Sequence, residues 1–318
     1  LFNHASRVLR NVNPALQNIG SDFTQLGQYQ YQQEIRNYDK VIRSKPDDYL
    51  AYFNRAVAYA KIGQYQNAIR DYNTTIRLKP DYAEVYNNLG NALMDMRRLT
   101  EAEVSFHHAI EIKPDYARAY NNLGNALMNM GRLKEAGASY RHAIEIKPDY
   151  AEAYSNMLFL YGYLSMLPPD EYLSLASRWE QASLPERDRQ TAAGRAFQRL
   201  PAAGRRLKIG YVSGDYKNHA ASFFLKKLFA CHDHSQMEVF AYSTHGKQDS
   251  VTKEFKALAD HWAPLTGFTD TATAERIRAD GIDVLIDLSG HTAHNRLGIF
   301  ALRAAPVQTH YLGFFATT

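Results

Sequence analysis

The sequence predicts an α-solenoid followed by an α/β lobe built on a parallel sheet. Three observations predict it. The tripeptide Lys-Pro-Asp recurs at a constant spacing of 34 residues, its prolines being Pro46, Pro80, Pro114 and Pro148. Apolar residues keep a helical spacing up to about Tyr161 and fall into short buried runs from Leu207 onward. Beyond Leu207 these runs alternate with amphipathic stretches, which implies strands covered by helices on both faces.

Each period reads as helix–turn–helix. In residues 83–114, Tyr86, Leu89, Gly90 and Leu93 make one stripe of a first helix. Gly90 is small because a second helix must pass close to it. Arg97-Arg98-Leu99 forms the turn, Ala102, Phe106 and Ala109 face inward on the second helix, and Pro114 ends it. The next period repeats this with Tyr120, Leu123, Gly124, Leu127, Ala136, Tyr140, Ala143 and Pro148. The pattern resembles the tetratricopeptide repeat (TPR) over residues 13–161, and such repeats stack into a superhelix because neighbours bury each other's faces. The last helix, Ala151 to Tyr161, carries Met157-Leu158 in place of the Leu-Gly pair.

One polar position recurs. With two residues inserted near Tyr29-Gln30-Tyr31, Asn18, Asn54, Asn88, Asn122 and Asn156 fall at one place on every first helix, the helices that line the concave face of a TPR superhelix. A column of carboxamides offers donors and acceptors that can pair with an extended peptide backbone whatever its sequence. The alternative is a row of merely solvated asparagines.

Composition bounds the classes of function. A chain of 318 residues with 45% hydrophobic and 22% charged residues suits two soluble domains. The net charge of +4 is spread without any Lys/Arg run longer than a pair, which argues against a nucleic-acid partner. No apolar run approaches the ~18–20 residues a membrane span needs. The single cysteine, Cys231, excludes an intrachain disulfide and a cysteine-only zinc site, and fits a reducing, cytoplasmic setting. The start at Leu1-Phe2-Asn3-His4 shows no initiator Met and no signal-peptide architecture, so an N-terminal cut is expected.

Residues 162–206 read as a connection, with Leu167-Pro168-Pro169 breaking the helix, a capped helix from Asp170 to Trp179, and an Ala/Gly/Arg-rich linker from Gly194. The lobe, residues 207–318, is expected to hold strands at Leu207–Ser213, Met237–Tyr242, Asp283–Leu288 and Pro306–Leu312. Helices are expected at His219–Phe229, Ser250–Asp260, Thr271–Ala279 (with Gly281 after its end) and Arg296–Leu302. Ligands of such sheets bind beyond the carboxyl ends of the strands. Here those ends are Ser213-Gly214-Asp215, Ser243-Thr244-His245, Ser289-Gly290-His291 and Gly313-Phe314-Phe315.

Three segments of the lobe resemble the N-terminal catalytic lobe of protein O-GlcNAc transferases and the related SPINDLY-type proteins. They are Ile209-Gly210-Tyr211-Val212-Ser213-Gly214-Asp215 with Asn218-His219; Asp280-Gly281-Ile282-Asp283 with Asp287-Leu288-Ser289-Gly290-His291-Thr292; and Phe300-Ala301-Leu302-Arg303 with Ala305-Pro306-Val307-Gln308 and Leu312-Gly313. Family members continue Leu-Gly-Tyr-Pro where this chain has Phe314-Phe315. The resemblance implies half of a GT-B fold, whose second, donor-holding lobe would have to follow Thr318, so that the chain alone is expected to be inactive. It implies an inverting glycosyltransferase that moves N-acetylglucosamine from UDP-GlcNAc to Ser or Thr hydroxyls of peptides threaded along the TPR groove, with no cofactor and no metal. Two alternatives stay open: a TPR peptide-binding scaffold with a non-catalytic α/β remnant, and GDP-fucose as the donor.

The acceptor hydroxyl is a poor nucleophile near neutral pH, so a base or a donor phosphate must take its proton. His219 follows Asn218, a good N-cap, and is expected in the first turn of a helix beyond the first strand, where the helix dipole favours the neutral ring. The alternative is an ordinary surface histidine; the resemblance favours a catalytic or orienting role. His291 ends the third expected strand at a ligand-facing position and is the second catalytic candidate, against a structural loop histidine. His232, His234 and His245 lack carboxylates at a metal-binding spacing and read as solvated loop residues. Gly210 and Gly214 do not complete a dinucleotide-binding fingerprint.

Overall fold

A computed structural model describes residues 27–164, 168–197, 204–246, 248–292 and 295–311. It divides into two compact units, one ending at Leu160 and the other running from Tyr161 onward. Asn18 and Gly313-Phe314-Phe315 lie outside the described residues.

The first unit is a helical-repeat solenoid. After the helical residues 27–44 (α1) come α2 (Tyr49–Lys61), α3 (Tyr65–Leu78), α4 (Ala83–Asp95), α5 (Leu99–Ile112), α6 (Ala117–Asn129), α7 (Leu133–Ile146) and α8 (Ala151–Leu164). The even-numbered A helices carry the asparagines; α4 and α6 each pack on the B helix that precedes and the one that follows. Small residues at fixed positions allow this. Ala56, Ala68, Ala102, Ala109, Ala136 and Ala143 are fully buried, and the rings of Tyr72, Phe106 and Tyr140 fill the space they leave. A Cβ added to Gly90 would lie 2.6 Å from the Phe106 ring, and one added to Gly124 would lie 2.5 Å from the Tyr140 ring, so these glycines are required by close approach. The A-to-B turns share one geometry. A residue with positive φ (Gly63 at 75°, Arg97 at 61°, Gly131 at 76°) precedes an amide that reaches back five residues, as in Arg98 N to Leu93 O at 2.9 Å.

The second repeat has its own polar core. Arg55 occupies the position of Leu89 and Leu123, and the buried Asp71 that of Ser105 and Ser139.

The second unit opens with α9 (Pro169–Ser183) and α10 (Glu186–Ala193) and continues as β1 (Leu207–Ser213), α11 (Ala220–Ala230), β2 (Met237–Ser243), α12 (Ser250–Leu258), β3 (His261–Pro264), α13 (Asp270–Asp280), β4 (Val284–Asp287), α14 (Leu297–Ala301) and β5 (Val307–His310). The five strands form one parallel sheet in the order β3-β2-β1-β4-β5. Four strands were expected, and β3 is the addition. The stretch around Trp262 is four residues long, packs at the sheet margin beside β2, and has no alternation to betray it. Pro169 at the start of α9 takes a place where a missing N–H costs nothing, so that helix begins one residue before Asp170 and runs on to Ser183. The expected linker is anchored at its end: Arg205 makes a bidentate pair with Asp283 at 2.6 Å, and Leu184, from the expected connection, joins the core of the lobe.

Strand alternation gives the sheet two apolar faces. Ile209, Tyr211, Val239 and Ala241 pack with Leu225, Phe229 and Phe255 on one side. Val212, Phe240, Tyr242 and Leu285 pack with Ile277, Ile299 and Phe300 on the other. Gly210 belongs to that second face: its Cβ would meet the Tyr242 ring at 2.9 Å and Leu285 at 3.0 Å. Gly281, in the left-handed conformation at φ 69°, ends α13 as expected.

Candidate functional site

The chain leaves β1 toward β2 on one side and reaches β4 on the other, so the strand order reverses between β1 and β4. Open α/β sheets hold ligands at such a switch point, outside the carboxyl ends of the strands. Val212 of β1 is in register with Asp287 of β4, and the Leu288 amide donates to Val212 O at 3.0 Å. The loops after these two strands therefore leave side by side. One carries Asp215 and His219, the other Ser289, Gly290 and His291.

The loop after β1 is tied down at several points. The Asp215 amide donates to Ser213 Oγ (3.0 Å), the buried Tyr216 hydroxyl donates to Tyr211 O (3.0 Å), and the Asn218 amide donates to Asp249 Oδ2 (2.8 Å). Asp249 in turn forms a capping box with Thr252 at the start of α12. These bonds carry His219 to the N-terminus of α11 with its side chain about half exposed (48%).

His219 was expected in the first turn behind an Asn218 cap. It is the cap itself: its Nδ1 accepts from the Ala221 amide at 3.3 Å, on an extended backbone. Imidazole Nδ1 is as many bonds from Cα as the Oδ1 of an asparagine, so it can fill the same role, while the Asn218 backbone is held by Asp249. The cap has a chemical consequence. A ring that accepts at Nδ1 is neutral and carries its proton on Nε2, so it offers an N–H donor outward. For Nε2 to act as a base, the proton must move to Nδ1, where Asp215 Oδ2 stands 3.6 Å away.

His291 sits differently. It is buried, edge-on to the Trp179 ring at a centroid distance of 5.1 Å, and burial pushes its pKa down to about 4. It is a neutral, enclosed imidazole at neutral pH. Asp287, at the end of β4, is buried as well. Burial pushes its carboxyl up to about 6, against two amide bonds that favour the charged form, from Gly290 N at 2.6 Å and Ser289 N at 3.2 Å. The structure thus sets His219 and His291 on adjacent loops at one edge, the first open to solvent and the second walled in.

His232 and His234 lie on the loop leading into β2, at the opposite edge of the sheet. His232 Nε2 is 2.8 Å from the Tyr211 hydroxyl, and His234 pairs with Asp260 at 2.8 Å. Among the described residues no group of three or more His, Cys, Asp or Glu side chains could hold a metal ion.

In the repeat unit, Asn54, Asn88, Asn122 and Asn156 are all half-buried on their A helices. Their amides are partly engaged with the scaffold. Asn122 Nδ2 donates to Asn87 Oδ1 of the preceding repeat at 2.9 Å, and Asn156 Nδ2 donates to Asn121 Oδ1 at 2.9 Å. Asn88 is hydrogen-bonded to the Tyr72 hydroxyl. Asn87 and Asn121 are fully buried, and sequence reasoning passed over them. The signal was the doubled Asn-Asn in two successive periods: one residue of each pair faces the groove and the other links repeats. Asn122 and Asn156 are therefore held in fixed orientation, each with one further N–H and a carbonyl oxygen to offer, while Asn88 Oδ1 accepts from Asn87 Nδ2 at 3.3 Å. An open groove of about 610 Å³ beside Asn122 is lined by Glu84, Arg118, Tyr150 and Glu152.

Comparison with known proteins gives the same two parts. Residues 189–318 match glycosyl transferase family 41, and tetratricopeptide repeats match at 37–70, 58–97, 83–116 and 117–150. The probable UDP-N-acetylglucosamine–peptide N-acetylglucosaminyltransferase SPINDLY of Oryza sativa subsp. japonica is 40% identical over 120 residues, which is 36% of this chain and 13% of that protein. The UDP-N-acetylglucosamine–peptide N-acetylglucosaminyltransferase of Caenorhabditis elegans is 38% identical over 118 residues, or 36% of this chain and 10% of that protein. A mutant Thermobaculum terrenum O-GlcNAc transferase superposes with a TM-score of 0.71 at 30% identity, over 83% of this chain and 50% of that one. The chain thus spans half of this solved structure and a small share of the curated relatives.

Proposed function

From a chain of the TPR-containing O-GlcNAc transferase type, with a family 41 glycosyltransferase region at residues 189–318, we infer a protein O-glycosyltransferase that moves N-acetylglucosamine from UDP-GlcNAc to Ser or Thr of peptide acceptors. The observation that carries the reading is the capped histidine at the switch point. His219 presents an Nε2–H donor beyond the carboxyl edge of the sheet, where a nucleotide-sugar would lie in a GT-B cleft. That donor suits a phosphate oxygen of the departing UDP, or the acceptor hydroxyl, and helps to orient the reacting groups. The buried His291 acts in this reading as a positioning residue that holds the neighbouring loop against Trp179, without touching the sugar.

The groove asparagines Asn54, Asn88, Asn122 and Asn156 pair with the backbone of the acceptor peptide, and the bonds from Asn122 and Asn156 to Asn87 and Asn121 pre-orient them. Pre-orientation lowers the entropy lost on binding. A second α/β lobe is required for donor binding, and a reducing, cytoplasmic setting fits the single Cys231.

Transfer of labelled N-acetylglucosamine to an extended serine peptide, by a protein that includes this chain and a second lobe, tests the reading. Transfer that falls at least about 100-fold in His219→Asn supports it. Transfer that survives this change removes His219 from the chemistry, and a protein that uses GDP-fucose instead replaces the donor.

A further inference from the structure

The groove of the repeat unit carries a pattern of charge that its asparagines do not account for. Glu84, Arg118 and Glu152 occupy one position on three successive A helices, 34 residues apart, so acid, base and acid follow one another along the groove beside Asn122. The two carboxylates are held in place. Glu84 lies 3.7 Å from Lys113 Nζ, and Glu152 accepts from Asn121 Nδ2 at 3.3 Å and is hydrogen-bonded to the Tyr150 hydroxyl. Arg118 between them is exposed and forms no ion pair among the described residues. The remaining charge in the lining, Lys147, sits over the Tyr150 ring at 5.4 Å.

Spacing turns this pattern into a rule for a ligand. Packed helices stand about 8–10 Å apart. An extended peptide of polyproline II form rises about 3.1 Å per residue with three residues per turn, so its residues i, i+3 and i+6 project on one side at about 9 Å intervals. One peptide side chain in three would then meet each A helix in turn.

We propose that this groove selects acceptor segments with the order basic–x–x–acidic–x–x–basic, Arg118 holding the acidic side chain and Glu84 and Glu152 the basic ones. The proposal rests on the peptide-groove reading and names the acceptor class within it. The order is the same read from either end, so it does not depend on the direction of the bound peptide. The contact between Lys113 and Glu84 is solvent-exposed and long, and a peptide cation can replace it at little cost.

The test uses fluorescently labelled peptides of equal composition, Lys-x-x-Glu-x-x-Lys against Lys-x-x-Lys-x-x-Glu, titrated with the chain and followed by anisotropy at low salt. About a tenfold preference for the first is expected, shrinking in roughly 0.5 M salt. Arg118→Gln should abolish the preference, and Arg118→Glu should redirect binding to Lys-x-x-Lys-x-x-Lys, with thermal unfolding checked for both variants. Equal affinity for the two peptides overturns the charge order while leaving a sequence-blind groove, as does a preference that both Arg118 variants retain. Failure of every peptide to bind, with the variants folded, refutes the peptide groove itself.

Discussion

Arg55 forks onto Asp71, with Nε 2.6 Å and Nη2 2.8 Å from the two carboxylate oxygens, and its third nitrogen reaches Asp39 at 2.7 Å. Asp71 is 4% exposed, and among the described residues its charge is paired with this fork alone. We expect Arg55→Ala to destabilise the repeat unit by about 3 kcal/mol, because it strands a buried carboxylate. The double change Arg55→Leu with Asp71→Ser copies the pair found at Leu89 and Ser105 and should recover most of that loss. Urea unfolding of the three proteins checks it, and a double variant as weak as the single one would show that the two repeats are not equivalent.

Arg97 holds a left-handed φ of 61° where Gly63 and Gly131 stand in the neighbouring turns. Its side chain is exposed, so no packing offsets the strain. Arg97→Gly is expected to raise stability by about 0.5–1 kcal/mol, the relief of strain being partly offset by the greater freedom of glycine in the unfolded chain. A rise in the unfolding midpoint at unchanged denaturant slope is the signature.

The two roles of His219 can be separated. His219→Asn keeps an acceptor for the Ala221 amide and should leave stability within about 0.5 kcal/mol, whereas His219→Ala loses the cap and should cost about 1 kcal/mol. Both remove Nε2, so the proposed activity should fall alike in both. In the unmodified chain, nitrogen NMR is expected to show the neutral His219 ring as the Nε2–H tautomer; a neutral ring with its proton on Nδ1 would contradict the cap.

The groups at the end of β4 pull stability in opposite directions with pH. Asp287, raised from 3.8 to about 6 by burial, contributes stability that is full below 3.8 and lost as pH rises through about 6. His291, lowered from 6.5 to about 4 by burial, contributes stability that is full above 6.5 and lost as pH falls toward about 4. Between pH 4 and 6.5 the two nearly cancel. His291→Gln leaves the Asp287 contribution alone, so this variant should gain about 1.4 kcal/mol of stability on going from pH 7.5 to 5, whereas the unmodified chain should lose about 0.5 kcal/mol over the same range. Chemical unfolding at the two pH values decides it.

Much of this architecture was legible because it is local and repeated. A 34-residue period with proline at a fixed place marks the helix ends, and the smallness of Gly90 already implied a second helix passing close, whose Phe106 ring is what crosses it. That His219 and His291 follow the carboxyl ends of strands was legible from the alternation of strands and helices, whereas their adjacency depends on the pairing of β1 with β4. What escaped was set by partners distant in sequence. The margin strand at His261–Pro264 exists because β2 lies beside it, and its own four residues carry no periodicity. Asn218 looked the better helix cap, but its backbone is bound by Asp249, 31 residues onward, and the imidazole next to it takes the place. The buried Asn87 and Asn121 reveal their role only through bonds to residues 35 positions away.

The shared turn geometry makes the repeats interchangeable modules. Duplicating residues 83–116 in frame would join a Lys-Pro-Asp exit to an entry it already meets, and would set a new Asn87 under the Asn122 that follows. Such an insertion should lengthen the groove by one carboxamide and place a second Glu84 ahead of Arg118, so on the proposed peptide reading both the reach along an acceptor and its charge order are quantities that gene duplication can adjust in steps of one module.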